Sequence, residues 1–300
     1  MSKRQRPSPG LALGFASLAL VTIGFLVAFL VFPKTEAPTA EMPTEQTRVM
    51  LLDQLPDPHT RAAVEALRAI APGTFAELET VAAFAQQDGA SRDALAHLLL
   101  EALFSQFTEQ APALRSATSA DYQRIISGLS DGLVQLQANE NPWCDGSTIA
   151  AFLAQNDQDL VPSLLAEFPY DSPQYIWAMD WMSTVLNVAK QARDRPLRHA
   201  RPGSRDETVL QQEGLALGSE QWALALQIAA FANSEGTSYG KMQQVIASMD
   251  VCDLGMAVET VSERLPSDVR ARIWADLLPE LMVGNTPYVM WRVTDYFFIG

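Results

Sequence analysis

Apolar side chains recur along most of this chain with the three-to-four-residue period of an amphipathic α-helix. Residues 60–70, TRAAVEALRAI, place Ala63, Leu67 and Ile70 on one face and charged groups on another. Residues 74–85 show the same pattern. No segment has the sustained two-residue alternation of a half-buried strand, and no strand–helix–strand spacing recurs. The pattern therefore predicts an all-α fold.

Further segments with this period extend the prediction to the C-terminal residues. Ser91 and Ser172 stand where helix N-caps are expected, and Pro173 follows at a first helical position. The remaining predicted helices span residues 91–107, 118–137, 172–192, 219–232, 253–265, 267–282 and 286–298. The last of these is unusually apolar. It is interpreted as a final core helix, and docking to a partner or a membrane surface is the alternative.

Residues 11–32 form an apolar stretch without a charged side chain. As a helix the stretch spans about 33 Å, enough to cross a hydrocarbon core of about 30 Å. A cleaved signal peptide has a shorter apolar region of about 7–15 residues, followed by a small-x-small site. The nearest such sites after residue 32 contain Glu36 or Pro38 and are poor matches. The stretch is therefore predicted to be a retained transmembrane helix that holds the protein in the membrane.

Charges on either side of this stretch predict its orientation. Lys3, Arg4 and Arg6 precede it, whereas Lys34 is followed by acidic residues. Because the more cationic flank stays in the cytoplasm, residues 1–10 are predicted to be a cytoplasmic tail. Everything after the stretch is predicted to lie outside the inner membrane, in the periplasm of a Gram-negative cell.

A proline-rich segment, residues 33–44, follows the predicted membrane helix. Such a segment favours extended conformations that rise about 3.1 Å per residue, so it reaches roughly 35 Å at most. It is predicted to be a stalk. Beyond it, the helical domain is predicted to have a first half, residues 45–189, a basic linker, residues 190–206, and a second half, residues 207–300.

The chain carries a formal net charge of −14, and acidic residues predominate in both predicted halves. Such a surface repels phosphate backbones, so nucleic acid is not an expected partner. The linker is the exception, and its basic residues are Lys190, Arg193, Arg195, Arg198, Arg201 and Arg205. One interpretation is an arm that contacts an anionic partner, such as lipid headgroups or an acidic protein face. The local Pro and Gly content favours the other interpretation, a solvated linker.

Cys144 and Cys252 are the two cysteines of the chain. Each directly precedes an aspartate, Asp145 or Asp253, that is predicted to cap the next helix. A catalytic thiol is disfavoured, because the neighbouring carboxylate opposes thiolate formation and no His, Lys or second Cys adjoins. The histidines show no metal-ligand spacing, so neither a metal nor a cofactor is expected. An oxidising compartment favours a disulfide between the two cysteines; two unpaired, buried thiols are the alternative.

Two further patterns raise the question of catalytic or ligand-binding chemistry. Trp177 and Trp181 share one helix face, where they would stack on a sugar or cation or, more commonly, pack in the core. Residues 128–132, GLSDG, match the nucleophile-elbow pattern around Ser130, but their flanks are helical and no sheet is predicted. The two glycines of this segment are interpreted instead as a thin helix face for close packing.

No catalytic constellation is favoured by these patterns. The anchor-and-stalk layout predicts a non-catalytic interaction or assembly module of the bacterial envelope with a protein partner there. The alternative is a cell-wall hydrolase that uses a carboxylate near Trp177 and Trp181.

Overall fold

A computed structural model describes residues 51–153, 165–220 and 247–283, together with positions 285, 288, 289 and 292. Within these residues the backbone forms helices and no strand, apart from one isolated bridge between Asp145 and Asp250. The predicted all-α fold is confirmed. The predicted membrane helix, the stalk and most of the predicted helices 219–232 and 286–298 lie outside the described residues. Among the helices that are described, none is long and apolar enough to cross a membrane.

Ten α-helices and one 3₁₀ turn make up the described part of the chain. The first five are α1 (Leu51–Gln54), α2 (Pro58–Ile70), α3 (Pro72–Gln87), α4 (Arg92–Leu114) and α5 (Ser119–Ala138). The 3₁₀ turn (Pro142–Cys144) precedes α6 (Gly146–Leu153) and α7 (Pro173–Asp194). The last three are α8 (Ser204–Glu220), α9 (Val251–Arg264) and α10 (Ser267–Met282).

Short-range sequence signals set the beginnings of several helices. Ser91 and Ser172 cap α4 and α7 as predicted, and each hydroxyl accepts a hydrogen bond from the backbone N–H three residues on. Thr118 caps α5 in a capping box with Asp121. These side chains satisfy backbone N–H groups that would otherwise lack partners within the helix.

The two aspartates that follow the cysteines behave differently. Asp145 accepts a hydrogen bond of 2.8 Å from Ser147 N at the start of α6, as predicted. The prediction for Asp253 is wrong, because α9 begins earlier and Asp250 is its N-cap. Asp253 instead donates its own backbone N–H to Asp250 Oδ1 at 2.8 Å, so it lies inside the first turn.

Helix α7 lies at the centre of the core. It packs against α2, α4 and α5. Tyr175, Met179 and Leu186 of α7 are fully buried. The Tyr175 hydroxyl shares a buried hydrogen bond of 2.6 Å with the Thr60 hydroxyl of α2, so both polar groups are satisfied in the apolar interior.

Helices α2 and α7 run in the same direction. Near their N-terminal ends, His59 Nδ1 lies 2.7 Å from Asp180 Oδ1. At their C-terminal ends, Arg193 Nη1 donates to Ile70 O at 3.3 Å. The N-terminal ends of both helices therefore lie at one end of the pair, and their C-terminal ends lie at the other. These two ends are called the poles of the domain below.

The two predicted halves share a single core. Helix α5 packs against α7 and also against α9, and α10 packs against α4 and α5. The buried apolar side chains of both halves form one continuous cluster. Ser262 of α9 joins them by polar contacts as well: its hydroxyl donates to Gln123 Oε1 at 2.9 Å and accepts from Trp274 Nε1 at 3.0 Å.

Two glycines of α5 make room for the tryptophans of α7. A Cβ atom at Gly132 would lie 2.1 Å from Trp177 Cε2, and one at Gly128 would lie 3.1 Å from Trp181 Cδ1. Trp177 Nε1 donates to Gly128 O at 2.7 Å, and Trp181 Nε1 donates to Ile125 O at 2.9 Å. The predicted close-packing role of this glycine face is confirmed.

Replacing the more crowded glycine tests this contact. Gly132→Ala is expected to lower the free energy of unfolding by about 1–3 kcal/mol, because overpacking outweighs a helix-propensity gain of about 1 kcal/mol. The Trp177 ring has to move away from α5, which weakens its hydrogen bond. Urea unfolding followed by tryptophan fluorescence measures the change.

Gly73 of α3 provides the matched control, because a Cβ atom there would meet nothing within 4 Å. Gly73→Ala is expected to leave stability unchanged or to raise it slightly through helix propensity. Equal effects at the two glycines would contradict the close-packing role of Gly132.

Candidate functional site

The two cysteines form a disulfide that joins the 3₁₀ turn to the first turn of α9. The Sγ atoms of Cys144 and Cys252 are 2.01 Å apart. The two residues are 8% and 0% exposed, respectively. A thiol nucleophile or thiolate ligand requires a free sulfur, which this bond removes. The predicted pairing is confirmed, and Cys144 has a structural role in this state.

Backbone contacts align the two segments beside the disulfide. Gly146 N donates to Met249 O at 2.9 Å, next to the bridge between Asp145 and Asp250. Gln137 Nε2 of α5 donates to Asp253 Oδ1 at 2.6 Å. The disulfide is therefore part of a fixed junction between the end of α5 and the beginning of α9.

The tryptophan pair of α7 is engaged in the core. The two indole rings are stacked with centroids 6.2 Å apart. Trp181 is 4% exposed, and Trp177 is half-buried. The neighbouring carboxylate of Asp180 lies on the exposed side of the helix, where its partner is His59. The core interpretation of the pair thus agrees with the observed packing.

The histidines lie on separate elements. His59 belongs to α2, His97 to α4 and His199 to the segment after α7. Among the described residues, no group of three or more His, Cys, Asp or Glu side chains could hold a metal ion. His59 contacts Asp180 and His199 contacts Ala117 O, whereas His97 Nε2 is buried without a hydrogen-bond partner among the described residues.

The six predicted contact residues fall on three elements. Lys190 and Arg193 belong to the last turns of α7, which continues to Asp194 and so extends into the predicted linker. Arg205 lies in the first turn of α8. Residues 195–203, hereafter the basic strap, form neither helix nor strand and contain the other three: Arg195, Arg198 and Arg201.

The basic strap is held against the turn between α4 and α5. Leu197 N donates to Ser116 O at 3.1 Å. His199 Nε2 donates to Ala117 O at 2.7 Å, and its ring centroid lies 6.2 Å from that of Tyr122. A fully solvated linker would lack these contacts. The strap therefore has a defined position on the domain.

A nearly buried ion pair fixes the end of the strap that leads into α8. Arg272 of α10 donates from Nε and Nη2 to the two carboxylate oxygens of Asp206, at 2.9 and 2.7 Å. Asp206, which is 5% exposed, also accepts from Gly203 N at 3.1 Å. The Arg272 hydrogen bonds hold the pKa of the Asp206 carboxyl below its usual range.

Two of the six basic residues already have intramolecular partners. Lys190 Nζ lies 2.7 Å from Asp194 Oδ2 in an exposed i, i+4 pair, and this hydrogen bond is the main reason that the pKa of Asp194 is lowered. Arg193 donates to the carbonyl of Ile70 at the end of α2. Lys190 is thus paired within α7, and Arg193 links the end of α7 to the end of α2, so both side chains are less free to bind a partner.

The arginines of the strap are in a different situation. Arg195, Arg198 and Arg201 are all exposed. In the described part of the chain, no ion pair within 4.0 Å involves any of them, and the same holds for Arg205. The strap thus presents a row of cationic side chains on the surface of an otherwise acidic protein.

Three residues that position the strap were not identified from the sequence: His199, Asp206 and Arg272. Asp206 and Arg272 are 66 positions apart, so no local spacing links them. The sequence offered one signal for Asp206. It stands three positions after Gly203, a spacing at which a side chain near the start of a helix commonly accepts a backbone N–H.

Comparisons of the chain with models of protein families, with curated proteins and with solved structures find no match. The basis for a functional proposal is therefore the geometry of this chain's own residues.

Removing the disulfide is expected to destabilise the fold substantially. The bonded residues are 108 positions apart, so the chain-entropy model gives an upper limit of about 4–5 kcal/mol for Cys144→Ala with Cys252→Ala. Urea midpoints of the oxidised protein and of the double variant measure the loss. Equal midpoints would contradict a stabilising bond, as would alkylation of the thiols without prior reduction.

The ion pair that anchors the strap predicts a pH dependence. Since the folded-state pKa of Asp206 lies below its unfolded value of about 4, its contribution to stability is present above that value. The contribution is lost as the pH falls through the folded-state pKa. Asp206→Asn is therefore expected to cost about 1–3 kcal/mol at neutral pH and progressively less below about pH 4.

Unfolding of the two proteins by urea across pH 3–7 measures this difference. Asp131→Asn is the control, because Asp131 is exposed within α5, away from both helix ends, and no change in stability is expected there. A pH-independent cost for Asp206→Asn would show that the charge of Asp206 is not what stabilises the strap.

Proposed function

We propose that this protein is a non-catalytic interaction module that is anchored in a membrane by residues 11–32 and binds an anionic partner through the basic strap. One observation carries the proposal: among the described residues the exposed arginines of the strap make no ion pair within 4.0 Å, and hydrogen bonds fix the position of the segment. In a chain with a net charge of −14, such a cluster is the surface to which an anionic partner is attracted.

The position of the strap favours a partner away from the anchoring membrane. The short helix α1 packs against α2 and α3, so the chain enters the domain at the N-terminal end of α2. The strap leaves α7 at the other pole, where Arg193 contacts Ile70. A helix of the length of α2 separates the two poles by about 20 Å. A stalk attached at the first pole would present the strap on the far side.

The disulfide supports placement of this domain in the periplasm. Such bonds persist in oxidising compartments and are rare in a reducing cytoplasm. An extracytoplasmic domain is also what the cationic tail before residues 11–32 predicts. Together these features support an envelope protein of the inner membrane with its C-terminal domain outside.

The hydrolase alternative receives less support from the contacts at Trp177 and Trp181. Both indole N–H groups donate to backbone carbonyls of α5, and the rings fill space left by glycines. The adjacent carboxylate, Asp180, is exposed and bonded to His59. Release of soluble fragments from purified peptidoglycan by the full chain would favour this alternative over the interaction role.

Site-specific crosslinking in intact cells tests the interaction role. Leu197 of the strap is 44% exposed and Val134 of α5 is 49% exposed, so the two sites are matched in size and accessibility. With p-benzoylphenylalanine in place of Leu197, irradiation of the full chain is expected to give a discrete crosslinked species. The same group in place of Val134 is expected to give none.

Equal crosslinking at both sites, or none at position 197, would contradict a partner on the strap. Protease added to intact spheroplasts tests the topology in the same strain and is expected to digest the helical domain. Survival of the domain until the cells are lysed would overturn the periplasmic placement.

A further inference from the structure

The basic strap, residues 195–203, is the longest segment without helix or strand among the residues that the structure describes. Two hydrogen bonds, from Leu197 N and from the His199 ring, hold its middle to the α4–α5 turn. Within it only His199 and Pro202 are partly buried, and the other residues are exposed. Because the strap covers little apolar surface, its opening costs far less free energy than the unfolding of a core helix.

An endopeptidase binds its substrate as an extended chain, which pairs with the main chain of the enzyme like an added strand. In the described part of the chain, the main-chain groups of Arg198, His199 and Ala200 take part in no main-chain hydrogen bond. Residues 195–201, on both sides of the Arg198–His199 bond, all belong to the strap. A protease can therefore engage them without unwinding α7 or α8.

The sequence of the strap, RPLRHARPG, leaves one arginyl bond open to cleavage. Endopeptidases of the trypsin class take an arginine into an acidic specificity pocket and cut the bond that follows it. Arg195 and Arg201 each precede a proline. These enzymes do not cut a bond to proline, because its ring replaces the N–H group and fixes φ. Arg198 precedes His199 instead, and its side chain is exposed.

Helices protect the basic residues outside the strap. Apart from Arg115, the other described arginines and Lys190 lie within helices, which have to unwind before a protease can bind them. Arg115 has helical backbone angles, φ −57° and ψ −18°, in the short turn between α4 and α5. The bond after Arg205 lies in the first turn of α8, where Arg272 holds the Asp206 carboxylate.

The disulfide spans the exposed bond. Cys144 precedes Arg198 in the chain, and Cys252 follows His199. Cleavage therefore leaves the two fragments, residues 1–198 and 199–300, covalently joined. The shared core holds them as well, since α10 packs against α4 and α5. A cut in the strap thus changes the connectivity of the chain and leaves its core in place.

We propose that the Arg198–His199 bond is a modification site, at which an endopeptidase of the trypsin class cleaves the folded protein into a two-chain form. Water is the co-reactant. Its hydroxyl group adds to the carbonyl carbon of Arg198, which becomes a carboxylate, and its proton goes to the nitrogen of His199, which becomes an amino terminus. This inference goes beyond the proposed interaction role and does not depend on what the strap binds.

Limited proteolysis of the full chain tests the inference. The protein, in nanodiscs of phosphatidylcholine, is treated with dilute trypsin, and samples are run on denaturing gels with and without reductant. The singly cleaved protein is expected to separate into residues 1–198 and 199–300 only after reduction, as verified by mass. The rate constant of this cut is expected to exceed those of cuts after Arg61, Arg68 and Arg124, which lie within helices.

Three variants test the choice of bond. Arg198→Gln removes the specificity residue and is expected to abolish every fragment that begins at His199. Arg61→Gln, at an exposed position of α2, is the matched control and is expected to leave the cut unchanged. Pro196→Ala, also at an exposed position, is expected to add a cut after Arg195. Thermal unfolding verifies that the variants are folded.

His199→Ala tests the opening of the strap, because it removes the hydrogen bond to Ala117 O. Cleavage follows the population of the open form, so the cut after Arg198 is expected to be about two- to tenfold faster. Trypsin can also prefer one residue over another at position 199. Synthetic peptides of residues 193–203, with His or Ala at that position, measure this preference and correct for it.

Several outcomes would overturn the inference. One is a cut after Arg198 that is no faster than the cuts within helices, or that occurs only once the protein is unfolded. Another is separation of the two fragments of the singly cleaved protein without reductant. A third is a cut in His199→Ala that is no faster than in the wild-type protein once the peptide correction has been applied.

Discussion

The position of α7 depends on how closely it approaches α5. Gly128 and Gly132 remove the side chains that would hold the two helices apart, and the indoles of Trp177 and Trp181 occupy the space. Each indole N–H then reaches a backbone carbonyl of α5. Because α7 also contacts α2 and α4, a shift at this one contact would be transmitted to two other helices. The place where α7 ends, and hence where the basic strap begins, follows from this packing.

Three non-local links then hold the C-terminal helices in place around α7. The disulfide ties α9 to the turn after α5, Ser262 connects α9 to both α5 and α10, and Arg272 connects α10 to the start of α8. Each link joins segments that are distant in sequence. Their combined effect is that the strap, which runs from α7 to α8, has both of its ends attached to a common core.

Sequence patterns were most informative for features that depend on residues close together in the chain. The helical period predicted an all-α fold, the hydroxyls of Ser91 and Ser172 predicted two helix starts, and the spacing of Gly128 and Gly132 predicted close packing. Asp253 was misassigned because two aspartates near the start of α9 have the same capping chemistry, and only the backbone distinguishes them. The basic residues were identified as a group. Among the described residues, their division into members with an intramolecular hydrogen bond or ion pair and members without one depended on contacts such as Arg193 with Ile70, which no local pattern encodes.

The pole at which the strap lies has an electrostatic consequence. Helices α2, α4 and α7 all end there, at Ile70, Leu114 and Asp194. Each helix end carries a partial negative charge, equivalent to about half an elementary charge, from carbonyls aligned along its axis. Arginines placed side by side repel one another, and these macrodipoles offset part of that repulsion. The helix ends thereby add to the attraction that the acidic rest of the chain exerts on this cationic surface.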